Sequence, residues 1–238
     1  MDKDVAKRLL NAAGLPVTPW ITFSAAELDR RGLQAAADRA AAEIGLPLFV
    51  KPANSGSSIG ISRADSVPEL VAALAEARRF DRKILVETAI DAREIEVAVL
   101  GNDDPEASLP GEIQAAQAFY DYDAKYRDEA TRLVIPAELE EDQIEALRAT
   151  AIAAFQALDG AGMARVDFLL EDETGEFTIN ELNSLPGFTS VSMYPKLWEV
   201  SGLSYPALLD RLIELALERH AESSKLERHT PPPLTRES

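Results

Sequence analysis

The chain has 238 residues, 46% of them hydrophobic, with a formal charge of −17 at pH 7, no cysteine and two histidines. That length can bury a sizeable core as one large domain or two lobes, and the lack of cysteine excludes disulfides, thiolate metal sites and a cysteine nucleophile. The acidity argues against nonspecific binding of nucleic acid or anionic membrane, no apolar run approaches the ~20 residues of a membrane span, and the start MDKDVAKRLLN lacks the apolar core of a signal peptide, so a cytoplasmic location is expected.

In chain order, residues 4–13 have the spacing of a short amphipathic helix with Val5, Leu9 and Ala13 on one face, ended by Gly14. Residues 20–23 predict a strand, Ser24 a helix cap, and the alanine-rich run 33–44 a helix stopped at Gly45. A brief apolar strand, Leu46-Pro47-Leu48-Phe49-Val50, delivers Lys51-Pro52 to the small-residue loop Ala53-Asn54-Ser55-Gly56-Ser57-Ser58-Ile59-Gly60, and the chain returns as a strand from Ile59 to Ser62. One ammonium at a strand end, beside loop N–H groups and hydroxyls, suits a phosphate clamp; a plain hairpin turn is the alternative, and the Walker A residue order is absent. Such local cation would be needed for any phosphate ligand in so acidic a chain, whose charge serves either solubility or adaptation to salt.

Ser66 begins a helix reaching Phe80, with Val67, Leu70, Leu74 and Ala77 at helical spacing. Residues 83–87 and 94–100 predict strands, with a turn at 101–105, and a lobe boundary is expected near here. Between Gln114 and Pro136, the polar and aromatic stretch FYDYDAKYRDEATRLVIP predicts a loop carrying Lys125 between Tyr122 and Tyr126. Loops of that length serve as lids over sites, or are plain surface excursions. Residues 140–158 predict a helix with Ile144, Leu147, Ala151, Ala154, Phe155 and Leu158 inward and an acidic first turn suited to the helix dipole. Two closing helices, 193–200 and 204–221, precede a proline-rich tail expected to be disordered.

The stretch 165–189, RVDFLLEDETGEFTINELNSLPGFT, carries the most chemistry. It reads as a hairpin: Val166, Phe168 and Leu170 alternate with Arg165, Asp167 and Leu169, residues 172–175 turn the chain, and Phe177, Ile179 and Leu182 form a second apolar run. Antiparallel pairing then gathers Arg165, Asp167, Glu181 and Asn183 at one end of one face. Two carboxylates and an amide oxygen suit Mg2+ with nucleotide phosphates, and the guanidinium suits an anionic centre; a surface hairpin with a salt bridge is the alternative.

The ordered set MDK, LPLFVKPANSGSSIG, ILVE, REIEVAVLG, FYDYDAKY, ARVDF and INELNSLPGFTSVSMYP resembles the D-alanine–D-alanine ligases of the ATP-grasp superfamily, from Met1 to about Arg219. The resemblance implies an α+β fold of two lobes with ATP between them: residues 1–91 as the lobe whose Gly/Ser loop covers the nucleotide, 92–220 as the lobe of the metal and substrate site, and 221–238 as the tail. It further implies that Lys3 and Lys51 approach phosphates or adenine, that Ser57 and Ser58 cover the phosphates, and that Glu87, Thr88 and Ile90 form an adenine-binding hinge. Glu94 matches the acid that binds the ribose hydroxyls. Asp167, Glu181 and Asn183 match the ligands of two Mg2+ ions, with Mn2+ a possible substitute. Reaction-centre roles fall to Arg165, the backbone N–H of Gly187, Ser57, Lys125 and Tyr126, while Lys125, Ser192 and Met193 match the site for the second amino acid's carboxylate; Lys125 also counts among the nucleotide contacts.

In that family ATP converts the first D-alanine to an acyl phosphate, which the amine of the second attacks. Every intermediate is anionic, so Mg2+, lysine and an oxyanion-binding arginine are the residue types the reaction needs; one such donor is worth roughly 3–4 kcal/mol. A closed Lys125 loop would keep water from the acyl phosphate. By resemblance, tyrosine at 126 points to D-alanine rather than D-lactate as second substrate, and Thr88 stands where a charged residue is common. Family members carry a further N-terminal lobe ahead of the MDK segment, part of the first D-alanine site, and are homodimers in their full architecture. The expected activity is therefore dipeptide ligation for peptidoglycan precursors, slowed where that lobe is lacking, with a related carboxylate–amine ligase or a nucleotide-binding module as alternatives.

Overall fold

A computed structural model describes residues 1–114, 132–189 and 191–226. Helix α1 (Lys3–Ala12) opens the chain, with the Asp2 carboxylate accepting from the Val5 N–H at 3.1 Å as its cap. Strands β1 (Trp20–Ser24), β2 (Leu48–Pro52), β3 (Ser62–Ala64) and β4 (Lys83–Thr88) form an antiparallel sheet in the order β1-β4-β2-β3. Helices α2 (Ala25–Arg31), α3 (Leu33–Ile44) and α4 (Val67–Ala77) cover one face of it. Ser24 caps α2 by accepting from the Glu27 N–H at 3.1 Å. Alternation explains the sheet: Ile21, Phe23, Leu48, Val50, Ile84 and Val86 pack on the helices, which turns Lys51 and Glu87 to the other face.

The second sheet comprises β5 (Arg93–Gly101), β6 (Glu106–Ala107), β7 (Gly111–Gln114), β8 (Arg132–Val134), β9 (Gly162–Leu170) and β10 (Phe177–Asn183), in the order β10-β9-β5-β7-β8 with β6 beside β5. Helix α5 (Glu141–Ala157) packs Leu147, Ala151, Ala154 and Phe155 against Ile95, Val97, Val99, Val166 and Phe168. The opposite face is covered over part of its length by α6 (Met193–Val200) and α7 (Tyr205–Ser224), which enclose Ala98 and Leu100. Both faces of β5 are therefore buried, and Tyr194, wholly buried, donates its hydroxyl to the Val99 carbonyl at 2.9 Å. Beyond α6 and α7 the same sheet face carries the polar residues of β5, β9 and β10.

The apolar face of α1 lies outward. Val5 and Leu9 are 46% and 47% exposed and Ala13 is exposed, while Asp4, Ala6, Lys7 and Leu10 are buried. The inward charges are matched: the Asp4 carboxylate accepts from Thr22 Oγ1 at 2.7 Å and Trp20 Nε1 at 3.3 Å, and Lys7 has its own partners, described below. Leu10 joins the core of the second sheet, so α1, grouped from the sequence with the first lobe, also packs on the second. Three further boundaries differ. Ile59 and Gly60 belong to the turn and β3 starts at Ser62; β7 was unforeseen and pairs with β8 inside the expected 114–136 loop; and α7 runs on to Ser224.

Candidate active site

The hairpin of β9 and β10 has the register that gathers its polar groups. Glu181 lies opposite Asp167 and Asn183 opposite Arg165, while on the other flank Glu96 of β5 lies opposite Asp167. A β-bulge between Ile179 and Glu181 makes this possible. Ile179 pairs with Phe168, so an unbroken ladder would put Asn180, not Glu181, opposite Asp167; the extra residue advances the register by one. Arg165 holds Asp167 in a two-point grip, Nε to Oδ1 at 2.6 Å and Nη2 to Oδ2 at 2.7 Å, and reaches Glu96 Oε1 at 3.1 Å. The Asn183 amide donates to Asp167 Oδ2 at 2.8 Å and Glu181 Oε1 at 3.4 Å. Burial works against the charge on Arg165, but Asp167 and Glu96 outweigh it and raise its pKa. Burial likewise opposes ionisation of Glu181, and Lys3, Lys51 and Arg165 outweigh it, holding the carboxyl below its ordinary range.

Lysines from α1 and from the first sheet reach the same cluster. Lys3, at the start of α1, stands 3.4 Å from Glu181 Oε2 and donates to the Ser55 carbonyl of the Gly/Ser loop at 2.7 Å. Lys51, at the end of β2, donates to Asn180 Oδ1 at 3.0 Å and pairs with Glu87 Oε1. The bulge residue thus binds Lys51 while its neighbour faces Asp167. Glu87 is 2% exposed, and its second oxygen pairs with Lys7 at 3.1 Å. Burial would raise the Glu87 carboxyl, yet Lys51 and Lys7 bring it down to about 2. Ser57 and Ser58, with φ of 52° and 56°, sit in consecutive left-handed conformations in the Gly/Ser loop, a strain of the kind held at ligand clamps.

Ile90 lines a cavity of about 380 Å³ with Pro16, Leu169, Phe177 and Thr178, whose lining also includes Glu171, Gly175 and Glu176. Glu94 lies opposite Leu169 on the same sheet face. In the segment expected to be the hinge, the Thr88 N–H is already spent on the Pro19 carbonyl at 3.1 Å, and that of Ala89 on Pro47 at 3.1 Å. Gly187 is exposed beside Ser192, where an added Cβ would meet Ser192 Oγ at 2.9 Å, and that hydroxyl also accepts from the Thr189 N–H at 3.0 Å. Met193 begins α6 with its side chain 5% exposed in the core, so any ligand contact it makes must come from its backbone. Lys125 and Tyr126 lie outside the described residues. Three contributors went unnoticed in the sequence: Glu96, Asn180 and Lys7.

The family model for the D-ala D-ala ligase C-terminus matches residues 9–214. The chain belongs to this ligase family. It is 53% identical to the D-alanine–D-alanine ligase of Shouchella clausii, covering 95% of this chain and 60% of that protein, and 52% identical to D-alanine–D-alanine ligase A of Escherichia coli K12, covering 95% and 61%. Among solved structures, the D-alanine–D-alanine ligase from Coxiella burnetii superposes with a TM-score of 0.81 at 40% identity, over 94% of this chain and 59% of that one. A D-Ala:D-Ser ligase from Enterococcus faecalis gives 0.80 at 36% identity, over 90% and 61%. The chain thus spans about three fifths of the length of these relatives. The fold is the α+β ATP-grasp fold of the ligase family.

Two further observations bear on what this ligase-family site could hold. Among the described residues no three His, Cys, Asp or Glu side chains group as metal ligands, and the oxygen set this cluster offers is two carboxylates and an amide. Asp167, Glu181 and Asn183 offer that oxygen set, hard donors with room left for phosphate and water, which is how Mg2+ is commonly bound. Turning the Asn183 amide over would direct its oxygen where its nitrogen now donates to Asp167. Charge also balances: Lys3, Lys7, Lys51 and Arg165 stand against Glu87, Glu96, Asp167 and Glu181, a neutral patch in a chain of −17.

Proposed function

We propose that this chain provides the nucleotide, metal and ligation centre of an ATP-dependent ligase that joins two D-alanines, the product serving peptidoglycan precursor synthesis in the cytoplasm. The observation that carries the reading is the convergence of Arg165, Asp167, Glu181 and Asn183 with Lys3 and Lys51 from the facing lobe. Residues 1–91 and 92–220 would act as the two lobes closing on ATP, with Ile90, Leu169 and Phe177 beside the base and Glu94 toward the ribose. Bound Mg2+ would neutralise the phosphoryl group in transfer; Asp167, Glu181 and Asn183 are the residues to hold it.

Lys3 and Lys51 would exchange their present carboxylate and amide partners for phosphate oxygens, and Ser57 and Ser58 would lie over them. Arg165, anchored by Asp167 and Glu96, cannot swing away, and a guanidinium fixed in this manner is suited to stabilise oxyanion charge as it develops. The N–H of Gly187 would be its companion donor, and Ser192 and the Met193 backbone, with Lys125, would receive the second substrate's carboxylate. In the full architecture the assembly would be a homodimer.

A coupled assay for phosphate release tests the reading, run on this chain with Mg-ATP and D-alanine, then with D-serine, D-lactate and L-alanine. D-serine is included because a D-Ala:D-Ser ligase superposes as well as a D-Ala–D-Ala ligase does. Release that requires D-alanine, with D-alanyl-D-alanine as product, is the expected result. Mg-ATP failing to bind at all would overturn it, and release driven by a different amino acid would move the chain to another carboxylate–amine specificity.

A further inference from the structure

Helix α1 buries an ammonium that none of the roles above employs. Lys7 is 3% exposed, donates to Thr18 Oγ1 at 2.5 Å, stands 3.1 Å from Glu87 Oε2, and lies 5.9 Å from the centre of the Trp20 ring. Burying a lysine is costly, and a methionine would fill the same volume without that penalty. The structure therefore contains a reason for a charge here. Glu87 gives one oxygen to Lys7 and the other to Lys51. The remaining acceptors, Thr18 Oγ1 for Lys7 and Asn180 Oδ1 for Lys51, are neutral. Within this group two cations thus share one anion, and its Lys51 end faces the cluster of Asp167 and Glu181, whose carboxylates complete the charge balance of the wider patch.

We propose that Lys7 is a positioning residue for nucleotide binding: by sharing the carboxylate of Glu87 it leaves the ammonium of Lys51 with positive charge to offer a phosphate oxygen. The inference rests on the reading of Lys51 as a phosphate ligand. With Lys7 absent, Glu87 and Lys51 would form a one-to-one pair, and drawing Lys51 toward a phosphate would strip a buried carboxylate of its only cation. With Lys7 present, Glu87 keeps a partner whichever way Lys51 turns. Lys7 is also one helical turn beyond Lys3, so a single rigid element sets both cations against the second lobe.

The test is calorimetric titration of the chain with Mg-ATP and, separately, with adenosine, which lacks phosphate. Lys7→Met should weaken Mg-ATP by on the order of tenfold, within the usual range of coupling between two sites, and leave adenosine unchanged. The double variant Lys7→Met with Glu87→Gln, in which no buried carboxylate depends on Lys51 alone, should recover the wild-type preference for Mg-ATP over adenosine. A structural role alone would lower the melting temperature without altering that preference. An unchanged preference in Lys7→Met, or a double variant no better than the single, overturns the proposal. Should Lys7→Met fail to fold, the double variant decides: a wild-type preference supports it and a depressed one overturns it. Wild-type chain that binds adenosine and Mg-ATP equally would instead remove the functional reading itself.

Discussion

Replacing Glu87 by glutamine should destabilise the protein by an amount that depends on pH in a defined window. The Glu87 carboxyl lies wholly buried between Lys7 and Lys51, and its pKa falls from an ordinary 4.5 to about 2. At ~1.4 kcal/mol per pH unit, that difference is worth roughly 3 kcal/mol of folding stability. The sign follows from the direction. Because the folded state holds the proton less tightly than the unfolded one, the stabilisation is complete above pH 4.5 and is lost as pH falls through about 2. Leaving two buried ammoniums without their anion should cost about 3–5 kcal/mol near neutrality, the range for breaking a buried pair. Urea unfolding of wild type and Glu87→Gln, followed by circular dichroism from pH 7 to pH 2.5, would measure it. The two curves should converge as the solution is acidified. A difference that stays constant across this range would show that Glu87 titrates normally and that the two lysines do not hold it.

Two other substitutions probe the loop and the metal cluster. Gly60 has φ of 73°, and an added Cβ would come within 2.6 Å of Phe80 Cδ2 and 2.9 Å of Pro52 Cγ; Gly60→Ala should therefore cost about 1–2 kcal/mol in chemical denaturation, and an unchanged midpoint would contradict the described turn. Glu181→Gln and Asp167→Asn should each weaken Mg-ATP binding in calorimetry while circular dichroism stays unchanged, and wild-type affinity in both variants would remove these residues from the metal site.

Much of the site could be read in the sequence because strands encode orientation by alternation. Val166 and Phe168 had to be inward, which fixed Arg165 and Asp167 on the other face. The bulge also left a trace: the apolar run Phe177, Ile179, Leu182 steps by two and then by three, which an unbroken strand cannot accommodate on one face. Its consequence for Asn180, a contact to Lys51 from 129 positions away, depends on how the two sheets meet and has no local signal. Helix α1 failed for a different reason. Periodicity assigns apolar residues to the interior, and here the interior is a charged seam between two sheets, so Asp4 and Lys7 go inward and Val5 and Leu9 outward. Met193 was matched to a ligand role by motif alone, and its side chain proves to be core.

The two faces of β9 lead separate lives. Ala164, Val166, Phe168 and Leu170 are held by α5, so the strand's position is set from behind, while Arg165 and Asp167 look out where the cover of α6 and α7 ends. Exchanging a front residue leaves the rear layer and its volume untouched, so chemistry can be varied at alternate positions without renegotiating the hydrophobic packing. A library diversified at Glu94, Asp167 and Glu181, front positions beyond the cover of α6 and α7, should therefore be rich in soluble, cooperatively melting members even where ligand selectivity has changed, whereas the same diversity moved one residue along, to Ile95, Phe168 and Leu182, should yield few.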